Sequence, residues 1–325
     1  MISEPWDNQI DEAGALQGLA ERIKAKFEPA THETIKFLLV GRTRVGKSST
    51  VNSLVGREVA PVGDLEPMTF EVRTYPFEMQ GIRFSVIDTP GLCDDVPEKG
   101  NDEEYLQRIH QNVPEFEVMF FVSRLGDYPS NDERRAISLI SRSFTSAVWK
   151  RALLVFTHAA VYEGGLYAKA ILARPEQLRR EILKHGGVEN ASEVPAVVID
   201  NKSRTTPDGK EWIGELYAKL IDVMPGEKVP TFFVGTAALI RTDRTMELSA
   251  SSQAPHISLS SEQKVHVGMK IGASIIPLLT TAGAGVGSPL GLVGGVIGGV
   301  IGCAIGVYVW FATLGSVNPK NRSAA

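Results

Sequence analysis

Cysteine is almost absent: Cys93 and Cys303 stand far apart and at no metal-ligand spacing. A disulfide framework and a zinc site are therefore excluded, and a reducing compartment is expected. A surplus of positive charge is missing too, because 34 Lys and Arg face 38 Asp and Glu for a formal net charge of −4. That argues against nucleic acid as a partner. Met1–Ala15 are acidic and hold no apolar run, so neither a secretory signal nor a transit peptide is expected. Charge of either sign is lacking from Ile271 to Pro319, a stretch of roughly 50 residues where one membrane helix needs about 20. Many of the 31 glycines lie there, and a membrane-bound chain is expected. The rest is ordinary globular sequence, since the whole is 43% hydrophobic and 22% charged.

Apolar, partly β-branched runs at Ile35–Val40, Ile82–Ile87, Val118–Val122, Ala152–Phe156 and Ala196–Ile199 read as buried strands. Between them Lys47–Val55, Glu103–Val113, Asn131–Phe144, Pro175–His185 and Trp212–Val223 read as helices. This alternation predicts an α/β domain over 35–235, a mostly parallel sheet with helices on both faces. Residues 1–34 form an extension in which Leu16, Leu19, Ile23 and Phe27 recur at helical spacing. Residues 236–268 read as a Ser-rich linker, 269–316 as a Gly-rich membrane anchor and 317–325 as a polar tail.

Within the anchor, Gly291, Gly295 and Gly299 form one row at four-residue spacing, and Gly294, Gly298, Gly302 and Gly306 a second. Such rows let membrane helices approach closely. Val293–Leu314 is long enough to span, with Tyr308 and Trp310 near one interface. Ile271–Gly287 contains Pro277 and is a marginal span, but Gly287-Ser288-Pro289 makes a turn after it. Lys264 and Lys270 precede the run and Lys320 and Arg322 follow it. A helical hairpin keeping all four on the cytosolic side is expected in preference to a single span.

The strongest chemical signal is Gly41-Arg42-Thr43-Arg44-Val45-Gly46-Lys47-Ser48, a complete phosphate-loop pattern placed between a strand and a helix. Two glycines let the backbone wrap a phosphate with its amides inward, and the helix amino terminus adds its positive end. Gly41, Arg44, Val45, Gly46, Lys47, Ser48 and Ser49 are the candidate phosphate-binding residues. Lys47 supplies a point charge to the β and γ phosphates and is a catalytic candidate; Ser48 holds Mg2+ through its hydroxyl. Asp88-Thr89-Pro90-Gly91 follows the second strand, so Asp88 would steady Mg2+ and the Gly91 amide meet the γ phosphate. This tetrapeptide marks GTPases more than ATPases or kinases. Thr69 is preferred over Thr74 as a further, switch-type metal ligand. Leu92 stands where a Ras-like enzyme carries a water-orienting glutamine, which predicts slow hydrolysis.

Gly41–Leu54 together with Asp88–Leu92 resembles the septin-related GTPases, above all the plastid Toc receptor GTPases. Val122–Tyr128, Phe156-Thr157-His158-Ala159, Ile199-Asp200-Asn201 and Pro207–Trp212 extend the likeness over roughly Asp11–Val223. GIMAP proteins, the animal relatives, are a looser match. The resemblance implies GTP or GDP as ligand with Mg2+ and base selection by Thr157, His158, Asp200 and Asn201. The Asp of the usual Asn-Lys-x-Asp loop is replaced by Ala160, so Asp200 becomes the main acceptor for guanine N1 and N2, while His158 covers the ring or donates to O6. Toc receptors carry a glutamate at the place of Asp200.

The resemblance further implies pairing across the nucleotide face through Arg124, as a homodimer or a heterodimer with a related GTPase. Ser123 and Gly126 replace acidic residues of the family there. A cytosolic head at the plastid outer envelope, contacting membrane lipid and precursor polypeptides, is the function it implies. The competing expectation is a GIMAP- or septin-like scaffold whose GTP-driven self-assembly is itself the function.

Overall fold

The computed structural model describes residues 34–42, 44–62, 72–89, 111, 113, 115–240 and 257–282, with side chains to residue 274. Its apolar, β-branched and aromatic runs form strands that, apart from one half-exposed edge strand, are buried on both faces, as helices on each side of a parallel sheet require. They are β1 (Ile35–Val40), β2 (Arg73–Met79), β3 (Ile82–Asp88), β4 (Val118–Arg124), β5 (Ala152–Thr157) and β6 (Ala196–Val198). The six lie in the order β2-β3-β1-β4-β5-β6. All neighbours run parallel except β2, which is antiparallel to β3 at the edge. Parallel strands end on one side, so the carboxyl ends bring Gly41, Asp88, Arg124, Thr157 and Asp200 to one end of the sheet, where ligands bind in open α/β folds. Strand β2 escapes the sequence pattern because Pro76 sits in its middle; the edge tolerates a residue with no N–H to donate.

Helices α1 (Lys47–Val55), α2 (Asn131–Phe144) and α4 (Trp212–Val223) have the expected bounds. Helix α2 shows why: the Ser130 hydroxyl accepts from the Glu133 amide at 3.1 Å and the Glu133 carboxylate accepts from the Ser130 amide at 3.2 Å, a complete capping box. Helix α3 (Gly164–Gly186) starts well before the expected Pro175 and carries that proline inside it. Burial of Tyr167, Arg174, Pro175, Leu178 and Ile182 outweighs an interior proline's cost of about 3 kcal/mol. The expected helix at Glu103–Val113 and the amphipathic segment at Leu16–Phe27 lie outside the described residues, apart from 111 and 113.

On one sheet face α1, α4, α5 (Val229–Thr236) and α6 (Ser261–Ala282) enclose a core in which Phe37 and Phe120 pack edge-on at 5.7 Å and Tyr217 stacks on Phe232 at 5.4 Å. Helices α2 and α3 close the other face over Phe121, Trp149, Leu178 and Ile182.

Part of the expected linker at 236–268, and the start of the expected anchor at 269–316, belong to this core instead. Ile257 bridges to Ile240, its amide donating to the Leu239 carbonyl at 2.6 Å. Val267 and Ile271 are both 0% exposed. Asp222 of α4 accepts from His266 at 2.7 Å and pairs with Lys270 at 3.3 Å, while Lys264 is buried. Close packing needs Gly214, because a Cβ there would lie 2.0 Å from the Ser258 carbonyl oxygen. An uncharged run looks the same in sequence whether lipid or a protein groove covers it. Among the described residues no helix is long and apolar enough to cross a membrane.

Ile271→Ala in the detergent-solubilised full chain should therefore destabilise the head by about 2–4 kcal/mol in urea unfolding, as a large-to-small core change does. A change near zero would return Ile271 to a lipid-facing position.

Candidate functional site

The phosphate loop is shaped by what its glycines permit. Gly41 packs so closely that a Cβ would sit 2.3 Å from the Val122 carbonyl oxygen. Gly46 adopts φ 94° and Arg44 φ 64°, left-handed conformations that turn the chain into α1. Gly46 caps α1 without any side-chain hydrogen bond and the first turn has no acidic residue, in contrast to the capping box on α2. Lys47 arches over the loop, donating to the carbonyls of Gly41 at 2.9 Å and Arg42 at 3.0 Å. An uncapped helix start beneath an inward-curving backbone and an ammonium group is a cradle for an anion.

Two later loops hold that cradle in place. The buried Thr157 hydroxyl, at the end of β5, donates to the Val45 carbonyl at 2.6 Å and lies 3.3 Å from that of Ser123. Asn201 reaches the Gly46 carbonyl at 3.4 Å and the Thr50 hydroxyl at 3.2 Å, and its own carbonyl accepts from Ser53 at 3.2 Å. Both residues expected to read a base therefore also brace the phosphate loop.

His158 follows in the left-handed conformation, φ 59°, with Nδ1 2.9 Å from the Thr157 hydroxyl oxygen. The hydroxyl's one proton is given to Val45, so Nδ1 must donate. That tautomer leaves Nε2 as an acceptor. The expectation that His158 donates to guanine O6 is corrected accordingly: neutral His158 can accept an N–H. Burial, and secondarily the Arg124 guanidinium, hold its pKa below the ordinary 6.5 and favour this neutral form.

Asp200 is 3% exposed. Its two oxygens accept from the amides of Ala160 and Lys202, each at 2.9 Å, so the carboxylate staples the β5 loop to the β6 loop. A carboxylate offers about four lone-pair directions, and those not used by the staple remain for a ligand.

Arg124 lies on its own chain's loop, donating to the Arg44 carbonyl at 2.8 Å. Beneath it is a buried cluster that escapes sequence reasoning. Arg174 of α3 bonds both oxygens of Glu133, at 2.8 and 2.9 Å, and the Ser123 hydroxyl at 2.8 Å. Ser123 and Glu133 are hydrogen-bonded to each other, and the guanidinium lies 5.4 Å from the Phe156 ring centre. Ser123 thus serves a charged pair that fixes the ends of β4 and β5. The only sequence signal was the family's acidic residue being replaced by serine at that place.

Ser48 lies in the first turn of α1, and Asp88 ends β3 in register with Leu39, beside the strand that leads into the loop. A hydroxyl and a carboxylate at the mouth of an anion cradle are hard oxygen donors suited to Mg2+. Thr89 fastens this strand end by donating to the Leu39 carbonyl at 3.0 Å. Ser49 is half-buried on α1 beside Asn201, both lining a cavity of about 510 Å³. Thr69 and Gly91 lie outside the described residues.

The sign of a pH effect follows from His158. An imidazole whose folded pKa is depressed contributes fully above the unfolded value and loses its contribution as pH falls through the folded one. Nucleotide affinity should therefore still hold at about pH 6.5 and fall only at lower pH, once the depressed His158 takes up a proton and Nε2 can no longer accept, and His158→Gln should remove that component of a calorimetric pH series. An identical acid limb in the variant would exclude His158 from the ligand.

Comparison with known proteins agrees with this geometry. The Arabidopsis thaliana protein "Translocase of chloroplast 34, chloroplastic" is 26% identical over 226 residues, 64% of this chain and 72% of the relative. A Chlamydomonas reinhardtii homolog of that translocase is 28% identical over 256 residues, 70% of this chain but only 63% of the relative's length. Among solved structures, Arabidopsis thaliana Toc33 in complex with Mg2+ and GMPPNP matches with a TM-score of 0.51 at 25% identity, covering 65% of this chain and 92% of that one. A dimerization-deficient mutant of the same protein matches at 0.52 and 25% identity, covering 64% and 91%. The fold is that of a P-loop GTPase, and since the AIG1 family profile matches residues 35–223, most of the chain and all of its described nucleotide-site residues, the chain belongs to the AIG1 family.

Proposed function

We propose that this chain is a membrane-anchored GTP-binding protein with slow GTP hydrolysis, whose nucleotide state gates pairing of heads and recognition of client polypeptides. The observation that carries the reading is the bracing of the phosphate loop by the base-reading residues Thr157 and Asn201, which couples phosphate and base recognition in one site. The names of the plastid translocase relatives support a receptor for precursor polypeptides at the plastid outer envelope. Solved relatives include one whose study ties dimerization to the GTPase activity of chloroplast translocon components, similar at 25% identity and a TM-score of 0.52.

In this reading the amides of Arg44 to Ser49 and the open start of α1 bind the phosphates, and Lys47 faces their developing charge. Ser48 and Asp88, with Thr69 as a third candidate, hold Mg2+, which supplies charge neutralisation at the β and γ oxygens. His158 Nε2 and the remaining lone pairs of Asp200 accept the N–H groups of guanine. Gly91 is proposed as an amide donor to the γ phosphate. Arg124 exchanges its own Arg44 carbonyl for a second head, of the same or a related chain.

Turnover measured against head concentration tests the reading. Specific activity should rise with concentration, Arg124→Ala should flatten that rise with nucleotide affinity nearly intact, and Lys47→Ala should abolish binding. Turnover that is independent of concentration while heads assemble on GTP would favour the scaffold function.

The uncharged run supplies the anchor. Residues through Ser274 are engaged with the head, Gly226 lying beside the Ser274 hydroxyl. Only 275–287 then precede Ser288-Pro289, residues that would reach about 20 Å as a helix against a hydrocarbon core of about 30 Å. Lys264 and Lys270 are likewise used by the head and lie on its side of the membrane in either topology, so only Lys320 and Arg322 argue for a hairpin. These contacts support a single span at Val293–Leu314 instead. An epitope after Ala325 should be protease-protected in intact organelles while the head is digested; digestion of both would restore the hairpin.

A further inference from the structure

Helix α6 leaves the head at the end opposite the nucleotide site, and we infer that it is a docked strut that stands the head on the bilayer with its strand-start end against lipid and its nucleotide end outward. The inference rests on the anchor reading above and adds an orientation to it.

The direction is fixed by paired contacts along α4. Trp212 at its start donates to the carbonyl of Ser203, in the loop that carries Asp200 and Asn201 at the nucleotide end, at 2.8 Å, and the helix runs to Val223 at the other. Gly214, near its start, packs on Ser258 and Gln263 at the beginning of α6. Asp222, near its end, holds His266 and Lys270 one and two turns further along. Beyond it Gly226 meets Ser274. The two helices therefore run side by side in the same sense. The turn at Gly226–Lys228 lies where the strands start: Lys228 pairs with Glu117 at 3.8 Å, and the Glu117 amide donates to Lys36 at the beginning of β1 at 2.9 Å. From Ser261 to Ser274 the helix descends about 20 Å along the head, with Val267 and Ile271 fully buried beneath it.

Core and polar contacts from Gln263 to Ser274 fix this part of the helix to the head. The uncharged sequence that begins at Ile271 continues to the span at Val293, so no charged residue intervenes between docked helix and anchor. The surface around Glu227, exposed beside that exit, faces the lipid headgroups. Tyr128, 80% exposed in the loop after β4, lies at the nucleotide end and faces away.

The test uses the full chain in phospholipid vesicles with Cys93 and Cys303 replaced by alanine and one fluorescent donor at Glu227→Cys or Tyr128→Cys. Energy transfer to an acceptor-labelled headgroup lipid should be at least two-fold more efficient from position 227 than from 128. Gly214→Leu, which wedges α4 from Ser258, and the milder Asp222→Ala, which releases His266 and Lys270, should bring the two efficiencies together while GTP affinity is kept. Equal efficiencies in the unaltered chain, or a greater one at 128, would overturn the orientation with the anchor intact. Failure of the chain to float with the vesicles would overturn the anchor reading and the orientation together.

Discussion

The hydrogen bond from Thr157 to the Val45 carbonyl is the contact on which the rest of the site depends. A phosphate loop works by presenting amides inward, which forces its carbonyls outward, and those carbonyls need partners. Thr157 serves Val45, Asn201 serves Gly46, Lys47 serves Gly41 and Arg42, and Arg124 serves Arg44. Three of these donors come from loops far away in sequence. The loop's shape is thus set by the parallel sheet, which delivers the ends of β1, β4, β5 and β6 to one place.

The same contact determines the chemistry of the base side. Because Thr157 spends its proton on the loop, His158 is left as a neutral acceptor, and burial reinforces that state. Asp200 joins the β5 and β6 loops through backbone amides, so the carboxylate proposed to read the base also makes those loops rigid. Under both lies the Arg174–Glu133–Ser123 cluster. Breaking a buried pair of this kind costs more than its presence gains, because one charge would be stranded.

Much of this was legible in the sequence where the signal is local. The glycine spacing, Lys47 and Ser48 name the cradle, and the helices at Lys47–Val55, Asn131–Phe144 and Trp212–Val223 follow from apolar spacing, with a capping box for the second. What failed to show was non-local. Pro76 hides an edge strand and Pro175 hides half of α3, since tertiary burial overrides a proline signal only after the fold exists. Arg174 and Glu133 meet across two helices with no common motif. The tautomer of His158 depends on where a neighbour's proton goes. Val267 and Ile271 are read as linker and membrane because apolar patterning reports burial without saying what does the burying.

Thr157→Val tests the central contact most directly, since it removes the hydroxyl and keeps the shape. Losing one buried hydrogen bond of about 1.5 kcal/mol should weaken calorimetric GTP and GDP affinity roughly ten-fold, although the substituted atom touches no phosphate. Nucleotide affinities equal to those of the unaltered chain would contradict the account.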